Sequence, residues 1–171
     1  MSAPTPRVTL RRLQIADVPM MLAMESDPVV MRYSTGVKPA DEARRRELLS
    51  WLNEPVTDIG HWAVEADGKA VGWISLTPLE DTGRTQLAYR LSRDAWGLGC
   101  ATQAGAQLCR YAWRTLDIQA LFAVVWPGNT ASMRVLEKLG FTRIGAERHY
   151  GRDTEVYVLS RFIEAEKASG E

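Results

Sequence analysis

Arg93-Asp94-Ala95-Trp96-Gly97-Leu98-Gly99-Cys100-Ala101-Thr102 is the stretch of sequence that decides the fold. It stands between a strand-like run, Thr85 to Leu91, and a long helical pattern. Two glycines spaced by one residue at such a junction let the backbone turn sharply and aim free N–H groups at an anion such as a pyrophosphate. Glycines at junctions also serve as plain turn residues, so the rest of the chain has to distinguish the two interpretations.

The chain before this glycine loop begins with a strand and a helical region. Val8 to Leu13 alternates as a strand, and Asp17 is predicted to cap a short helix that ends near Met24. A second helical piece is predicted from Asp27-Pro28 to about Tyr33, and a third from Asp41 to Leu52.

From Ile59 the apolar residues alternate with a period of two, which is typical of strands. His61 to Glu65 and Ala70 to Leu76 are predicted to form a hairpin with Asp67-Gly68 at its turn. The next strand, Thr85 to Leu91, leads into the glycine loop.

After the loop, small and apolar residues recur at helical spacing from Ala101 to Leu116, which predicts a helix packed closely on a sheet. Ala120 to Val125 is a nearly continuous apolar run, typical of a central strand buried on both faces. Asn129 is predicted to cap a helix that runs to Leu139 and that Gly140 ends.

The last predicted strands are Phe141 to Glu147 and Glu155 to Leu159, and the tail from Glu164 to Glu171 is predicted to be frayed. The 171 residues predict a single domain spanning 1–171. The order of elements is therefore strand, helices, three strands, glycine loop with helix, buried strand, helix and two strands.

The charge balance argues against two classes of partner. Lysines plus arginines and aspartates plus glutamates number 21 each, so no net field draws the chain to nucleic acid or an anionic membrane. No stretch is apolar enough to span a bilayer, and a cytoplasmic protein is expected. Cys100 stands at a helix N-terminus, where the pKa of a thiol can fall, but a small buried residue is the better interpretation.

Two motifs carry a family resemblance. Trp96-Gly97-Leu98-Gly99-Cys100-Ala101-Thr102, followed by Asn129-Thr130-Ala131-Ser132-Met133-Arg134-Val135-Leu136-Glu137-Lys138-Leu139-Gly140-Phe141, resembles the two signature motifs of the GNAT acetyltransferases. Their form is closest to the RimJ/RimL-like branch, the ribosomal-protein N-terminal acetyltransferases. The resemblance covers about Val8 to Arg161.

The resemblance implies an α/β (α+β) fold with a mixed, strongly twisted sheet of about six to seven strands and about four to five helices. The central strands Thr85 to Leu91 and Ile118 to Val125 would splay apart and hold acetyl-coenzyme A as cosubstrate. Backbone groups of Trp96 to Ala101 would cradle its pyrophosphate. The residues that the resemblance assigns to cosubstrate binding are Tyr89, Arg90, Leu91, Trp96, Gly97, Leu98, Gly99, Cys100, Ala101, Thr102, Asn129 and Arg134.

Departures from the family pattern concern charge and proton transfer. Asp94 stands where many members have Gln or Arg, and we expect it to turn away from the anion or to pair with Arg93. Leu136 stands where other branches place a proton-donating tyrosine, so Ser132 is the side chain expected to protonate the leaving thiolate. A hydroxyl bonded only to its own helix is the alternative. Gln86 stands where members often carry a glutamate base.

The reaction needs a neutral amine and a donor to the oxyanion, for which backbone N–H groups around Leu91 are the candidates. Base candidates are Glu65, Asp81, Asp153, Glu155 and His61. With no evident strong base, an α-amine near pKa 8 is an easier acceptor than a lysine near 10.4. A peptide or protein N-terminus is therefore the first predicted acceptor, followed by a small-molecule amine. The acceptor site is predicted to include Arg32, Tyr33, Trp73 and Tyr150, with Trp51 and Trp62 as further candidates.

Two other classes of function compete with the enzyme as interpretations of the sequence. Gln86 and the missing tyrosine also suit a module that binds an acyl-coenzyme A without turnover. A dinucleotide-binding fold is excluded, because the loop lacks a third glycine and follows several strands. The expected enzyme transfers acetyl directly and binds no metal. Dimers are common in the family, which makes a homodimer the candidate assembly.

Overall fold

The computed structural model describes residues 4–161. The predicted tail from Glu164 to Glu171 lies outside the described residues. Contacts divide the chain into two compact units: the first unit is Met1–Ser75 with Tyr89–Ala104, and the second unit is Leu76–Ala88 with Gly105–Glu171. The assignment of 1–171 to a single domain stays a prediction.

Seven strands form one mixed sheet with four α-helices, as the resemblance implies. The strands are β1 (Val8–Arg12), β2 (Gly60–Ala66), β3 (Lys69–Pro78), β4 (Thr85–Leu91), β5 (Ala120–Val125), β6 (Thr142–His149) and β7 (Arg152–Ser160). The helices are α1 (Val18–Glu25), α2 (Glu42–Leu52), α3 (Cys100–Thr115) and α4 (Thr130–Lys138). The strand order is β1-β2-β3-β4-β5-β7-β6.

Most of the strand pairing is antiparallel. β1 pairs with β2 from Val8 opposite Ala66 onward, and β7 pairs with both β5 and β6. β4 and β5 are parallel, with Gln86 opposite Phe122. The expected separation of these two central strands beyond that pair stays a prediction.

The hairpin turn and the end of α4 follow the chemistry predicted for them, and the start of α2 has a side-chain cap. Asp67 and Gly68 have φ of 50° and 81°, the left-handed values that a tight hairpin turn needs. The carboxylate of Asp41 accepts a hydrogen bond from the Arg44 N–H at 2.8 Å and caps α2. Gly140, at a φ of 96°, follows the end of α4.

The predicted helix from Asp27 to Tyr33 is wrong, because residues 28–35 form consecutive turns. The Asp27 carboxylate accepts from the Val29 N–H at 2.9 Å, and one α-type bond runs from the Met31 N–H to the Asp27 carbonyl oxygen at 3.0 Å. The bonds that follow, from Arg32 to Val29 and from Ser34 to Met31, span only three residues, so the segment stays a series of turns. The preceding helix starts where it is predicted to start, because Asp17 is the N-cap residue of α1 and the helix begins at Val18. The Asp17 carboxylate, however, accepts from the Gln14 N–H at 2.9 Å in the 3-10 turn Ile15–Asp17 and not from an N–H of α1.

The prediction that β5 is buried on both faces is wrong for one face. Leu121, Ala123 and Val125 are buried, whereas Phe122 and Val124 on the other face are half-buried. The guanidinium of Arg84 stacks over Phe122 at 4.5 Å from its ring centroid, which gives that face a polar neighbour.

Each unit has its own buried apolar residues. In the first unit Val18, Met21 and Leu48 form a cluster between α1 and α2. In the second unit Leu121 of β5 and Leu159 of β7 are register partners, and both are fully buried. Within residues 4–161, no helix is both long and apolar enough to cross a bilayer.

Candidate active site

The glycine loop has the open backbone that an anion cradle needs. Gly97 and Gly99 have φ of 71° and 79°, values that only glycine adopts without strain. No heavy atom lies within 4 Å of where a Cβ would sit at either residue, so the space beside the loop is open. α3 begins immediately afterwards at Cys100, and the first N–H groups of a helix have no partner within the helix. A phosphate therefore fits this loop through backbone donors and the helix dipole.

Trp96 ties the loop to the end of β4. Its indole N–H donates to the Leu91 carbonyl oxygen at 2.9 Å, while the ring stays 45% exposed. The next N–H along the strand, that of Ser92, donates to the Val71 carbonyl oxygen at 2.8 Å. The strand end and the glycine loop are thus held by hydrogen bonds within the first unit.

The two charged residues before the loop are paired with other groups, so the expected Arg93–Asp94 pair is wrong. Arg93 donates to Asp27 at 2.7 Å, and Asp94 lies 3.7 Å from the Lys69 ammonium with its side chain 67% exposed. The carboxylate of Asp94 is therefore partly neutralised.

Gly72 on β3 allows a close approach to the strand end. A Cβ at this position would lie 2.2 Å from the Arg90 carbonyl oxygen and 2.8 Å from the Leu91 Cα. Only a hydrogen fits there, so the backbone of Arg90 and Leu91 depends on glycine at this position.

Cys100 is buried, and its thiol is the opposite of an activated nucleophile. Burial and the nearby Asp67 carboxylate raise the pKa of the thiol, against the lowering that a helix N-terminus can produce. The interpretation as a small buried residue is confirmed. Within the described residues, both cysteines are free thiols.

A cleft of about 390 Å³ lies in the first unit and includes Arg90, the neighbour of Leu91. It is lined by residues of α1 and α2, of the segment between these helices, and of β2, β3 and β4. They are Met21, Glu25, Thr35, Lys38, Arg44, Glu47, Leu48, Trp51, His61, Trp73 and Arg90. We call this cleft the aromatic pocket. Among these lining residues, Trp73 and the further candidate Trp51 are the ones predicted for the acceptor site.

Three aromatic rings in edge-to-face contact form one wall of the aromatic pocket. His61 lies edge-on to Trp51 at 4.5 Å and to Trp73 at 5.1 Å between ring centroids. Burial, together with the charges of Arg12 and Arg90, lowers the pKa of His61 to about 4. His61 is therefore neutral at pH 7. Among residues 4–161 its ring nitrogens make no hydrogen bond, which leaves a lone pair for a ligand.

The charged groups of the pocket form a connected network. Arg44 donates to both oxygens of Glu25 at 2.7 and 2.8 Å, and to Glu47 at 2.7 Å. Burial opposes ionisation of Glu25, but the Arg44 hydrogen bonds prevail and its pKa is lowered. Arg90 donates to the Ser34 hydroxyl at 2.6 Å. Sequence reasoning missed Glu25 and Arg44, because they lie 19 residues apart on different helices.

The remaining predicted acceptor residues are placed differently. The Arg32 guanidinium lies 5.1 Å from the Tyr33 ring centroid in the turn segment of the first unit. Trp62 is buried under Arg12, at 3.8 Å, and belongs to the core. Tyr150 lies in the second unit at a φ of 53°, with its side chain exposed.

The second unit holds the other predicted motif. The Asn129 side chain accepts from the Ser132 N–H at 3.3 Å and so caps α4, as predicted. Ser132 is half-buried, Arg134 is exposed and Leu136 is buried. The roles of Asn129, Ser132 and Arg134 toward a cosubstrate stay predictions.

Gln86 takes part in a polar cluster of the second unit. It is buried, and its amide donates to the Pro78 carbonyl oxygen at 3.3 Å and to the Tyr150 hydroxyl. Beside it, buried His149 contacts Glu80 through Nδ1 and Glu147 through Nε2, both at 2.8 Å. No sequence signal marks this histidine, because the pattern of β6 does not show what its ring meets.

Most of the predicted carboxylate bases are held by arginines. Glu65 lies 3.2 Å from Arg11, Asp153 lies 3.5 Å from Arg148, and Glu155 pairs with Arg143. Asp81 is exposed in the loop between β3 and β4. In the described part of the chain, no group of three or more His, Cys, Asp or Glu side chains could hold a metal ion.

Comparison with known proteins identifies the family. The model of the acetyltransferase (GNAT) domain matches residues 7–142. The uncharacterized N-acetyltransferase p20 of Bacillus licheniformis is 28% identical over 165 residues, which cover 91% of this chain and 93% of that protein. The spermidine N(1)-acetyltransferase of Escherichia coli strain K12 is 26% identical over 145 residues, covering 83% of this chain and 76% of that enzyme.

A solved structure shows the same fold. The aminoglycoside acetyltransferase AAC(6')-Ib in complex with ribostamycin and coenzyme A superposes with a TM-score of 0.80 at 17% identity. The superposition covers 96% of this chain and 99% of that one.

Proposed function

The chain belongs to the GNAT acetyltransferase family and is an acetyl-coenzyme A-dependent N-acetyltransferase, and from this premise we propose that its acceptor is a weakly basic α-amine bound in the aromatic pocket. A peptide or protein N-terminus is the first candidate, as in the RimJ/RimL-like branch. The observation that carries the proposal is His61, a neutral imidazole with unbonded ring nitrogens between two tryptophans.

The protonation of the acceptor favours an α-amine. Only a neutral amine is a nucleophile, and at pH 7 deprotonation costs about 1.4 kcal/mol for an α-amine but about 4.6 kcal/mol for a lysine side chain. His61, with a pKa of about 4, accepts a hydrogen bond well but is too weak a base to deprotonate a lysine ammonium at low cost. The pocket is therefore suited to an amine that is already partly neutral.

The charge of the pocket also argues against polycations. Its lining contains the cations Lys38, Arg44 and Arg90, against the carboxylates of Glu25 and Glu47. Both carboxylates are already bound by Arg44. Spermidine and the aminoglycosides, which are acceptors named for relatives, would face unbalanced positive charge.

The proposed reaction is a direct transfer. Acetyl-coenzyme A supplies a thioester, whose carbonyl carbon forms a bond to the amine nitrogen as the carbon–sulfur bond breaks and the thiolate leaves. Backbone donors of Gly97, Gly99 and the start of α3 would hold the pyrophosphate, and Leu91 would offer its N–H to the oxyanion. His61 would orient the amine, whose proton passes to water, and Ser132 would relay a proton from water to the leaving thiolate, so that its own hydroxyl is restored. The cytoplasmic location and a homodimer stay predictions.

A panel of amines tests the acceptor. Thiol release from acetyl-coenzyme A is measured with each of three acceptors in turn. They are spermidine, an aminoglycoside, and a peptide that begins with alanine and contains no lysine. The proposal predicts a kcat/KM at least tenfold higher for the peptide. A preference for either polycation would contradict it, and so would acetyl-coenzyme A binding without thiol release from any amine. Acetylated Cys100 or Ser132, detected by mass spectrometry, would contradict direct transfer.

A further inference from the structure

Arg90 brings a cation into the aromatic pocket. Its side chain is 17% exposed, and its guanidinium carbon lies 5.2 Å from the ring centroid of Trp73. Burial lowers the pKa of Arg90, yet a guanidinium stays charged at neutral pH. A charge in such a position needs a compensating partner.

The nearest carboxylate does not fully supply that partner. Both oxygens of Glu25 accept hydrogen bonds from Arg44, and the Arg90 Nη1 lies 3.9 Å from Glu25, beyond hydrogen-bond distance. Arg90 and Glu25 therefore form an ion pair that has no hydrogen bond.

Arg90 has donors to spare. Of its five N–H groups, one on Nη2 donates to the Ser34 hydroxyl at 2.6 Å. Within the residues that the structure describes, Nε and Nη1 donate no hydrogen bond. The two bidentate edges of the guanidinium share Nη2, so one complete edge stays unused, and such a planar edge is the standard receptor for a carboxylate.

We propose that Arg90 binds a carboxylate of the acceptor while His61 receives its amine, so that the enzyme selects acceptors that carry both groups. This inference rests on the proposed α-amine function and narrows it. It makes Arg90 a specificity-determining residue, in addition to the backbone role that its position on β4 predicts.

The geometry limits the distance between the two acceptor groups. His61 and Arg90 both lie about 5 Å from the ring of Trp73. One residue of extended chain spans about 3.5 Å, and a hydrogen bond adds about 3 Å at each end. The carboxylate therefore lies within about one residue of the amine. Two sources fit this distance: the side chain of an acidic N-terminal residue, and the α-carboxylate of a free amino acid, whose amine is more basic than a peptide N-terminus.

Matched acceptor pairs test the proposal and separate the two sources. The dipeptide amides Glu-Ala-NH2 and Gln-Ala-NH2 differ by a side-chain carboxylate, and alanine and alaninamide differ by an α-carboxylate. Values of kcat/KM from thiol release are corrected for the neutral fraction of each amine. We expect at least a tenfold preference for the carboxylate member of one pair, arising mainly from KM.

Variants show whether Arg90 is responsible. Arg90→Gln should reduce the preference to less than twofold, and Arg90→Lys should retain part of it, because an ammonium keeps the charge but loses the planar fork. Arg46→Gln is the matched control: it removes one cation from the same unit, but its side chain is 74% exposed and does not line the pocket. The control should keep the full preference. Urea unfolding, which does not depend on cosubstrate binding, checks that each variant is folded.

Equal efficiency within both pairs, or a preference that persists in Arg90→Gln, would overturn the carboxylate proposal and leave the α-amine acceptor intact. If Arg90→Gln does not fold, a preference unchanged in Arg90→Lys overturns it instead. Thiol release with spermidine but with none of these four acceptors would overturn the proposed function itself.

Discussion

His61 shows how strongly the surroundings of a side chain can change its pKa. An imidazole ordinarily titrates near pH 6.5, but burial between Trp51 and Trp73 lowers the pKa of this one to about 4. The ring is therefore neutral across the physiological range and can only accept a proton at a cost. In the proposed reaction His61 therefore acts by positioning the amine, and its proton affinity is secondary.

Replacing His61 tests this role. His61→Ala should lower kcat/KM by about 100-fold, the usual size of a lost general-base or orienting contact. In the wild-type enzyme kcat/KM should rise toward pH 8 with the acceptor amine and show no inflection from His61 between pH 5 and 7. The control is Trp62→Phe, a core change next to it in sequence. An inflection near pH 6.5 that His61→Ala removes would contradict a depressed pKa.

At the scale of elements, the loop before α3 combines two left-handed glycines with the unpaired N–H groups of a helix start. Gly97 and Gly99 border open space, so a methyl group at either meets no atom of the chain. The cost of alanine there is backbone strain, about 1–2 kcal/mol, and the loss of the cradle shape.

Gly99→Ala should weaken acetyl-coenzyme A binding by at least tenfold, as measured by calorimetric titration. Gly83→Ala is the matched control, because Gly83 has a φ of 74° and equally open surroundings in a different loop. Both variants should lose similar stability in chemical unfolding, while only Gly99→Ala loses affinity. Equal affinity losses in the two would show that the loop has no special role in binding.

The β6–β7 hairpin makes a separate prediction about pH. Burial lowers the pKa of His149, but its hydrogen bonds to Glu147 and Glu80 prevail and raise it above 6.5. The His149 hydrogen bond also lowers the pKa of Glu147, whose ordinary value is 4.5, with Arg84 adding to the effect. The stability that the raised pKa of His149 adds to the folded state is complete below pH 6.5 and is lost as pH rises through the folded pKa of His149. The stability that the lowered pKa of Glu147 adds is complete above pH 4.5 and is lost as pH falls through the folded pKa of Glu147.

His149→Gln should therefore lower the free energy of unfolding most between about pH 4.5 and 6.5. The expected loss is only about 1–2 kcal/mol, because the carboxylates of Glu80 and Glu147 are partly exposed to solvent. Urea unfolding at several pH values measures this difference. Arg148→Gln, which removes an exposed pair with Asp153, should change stability little at any pH. A loss for His149→Gln that grows steadily above pH 7 would contradict the raised pKa.

At the scale of the whole chain, the sequence predicts local elements better than it predicts the contacts between them. β4 and the turn at Asp67-Gly68 were predictable because their signals are local: alternation, and a turn dipeptide. The turns at 28–35 were not, because Asp27 and Pro28 resemble a helix start until their hydrogen bonds are seen. The family resemblance is confirmed by the match over residues 7–142.

The aromatic pocket marks the limit of sequence reasoning. Trp73 and His61 were candidates, but Glu25, Arg44 and the donors of Arg90 acquire their roles only when separate elements are brought together. Whether Trp51 and Trp62 are core or pocket was equally undecidable from periodicity. The structure buries Trp62 and places Trp51 beside His61.

The central claim is that acetyl goes to an α-amine, and one peptide tests it most directly. A peptide with a free N-terminal glutamate and an internal lysine is incubated with the enzyme and acetyl-coenzyme A, and the modified position is mapped by tandem mass spectrometry. The account predicts acetyl on the N-terminal nitrogen and an unmodified lysine. Acetyl on the lysine ε-nitrogen, with a free N-terminus, would contradict it.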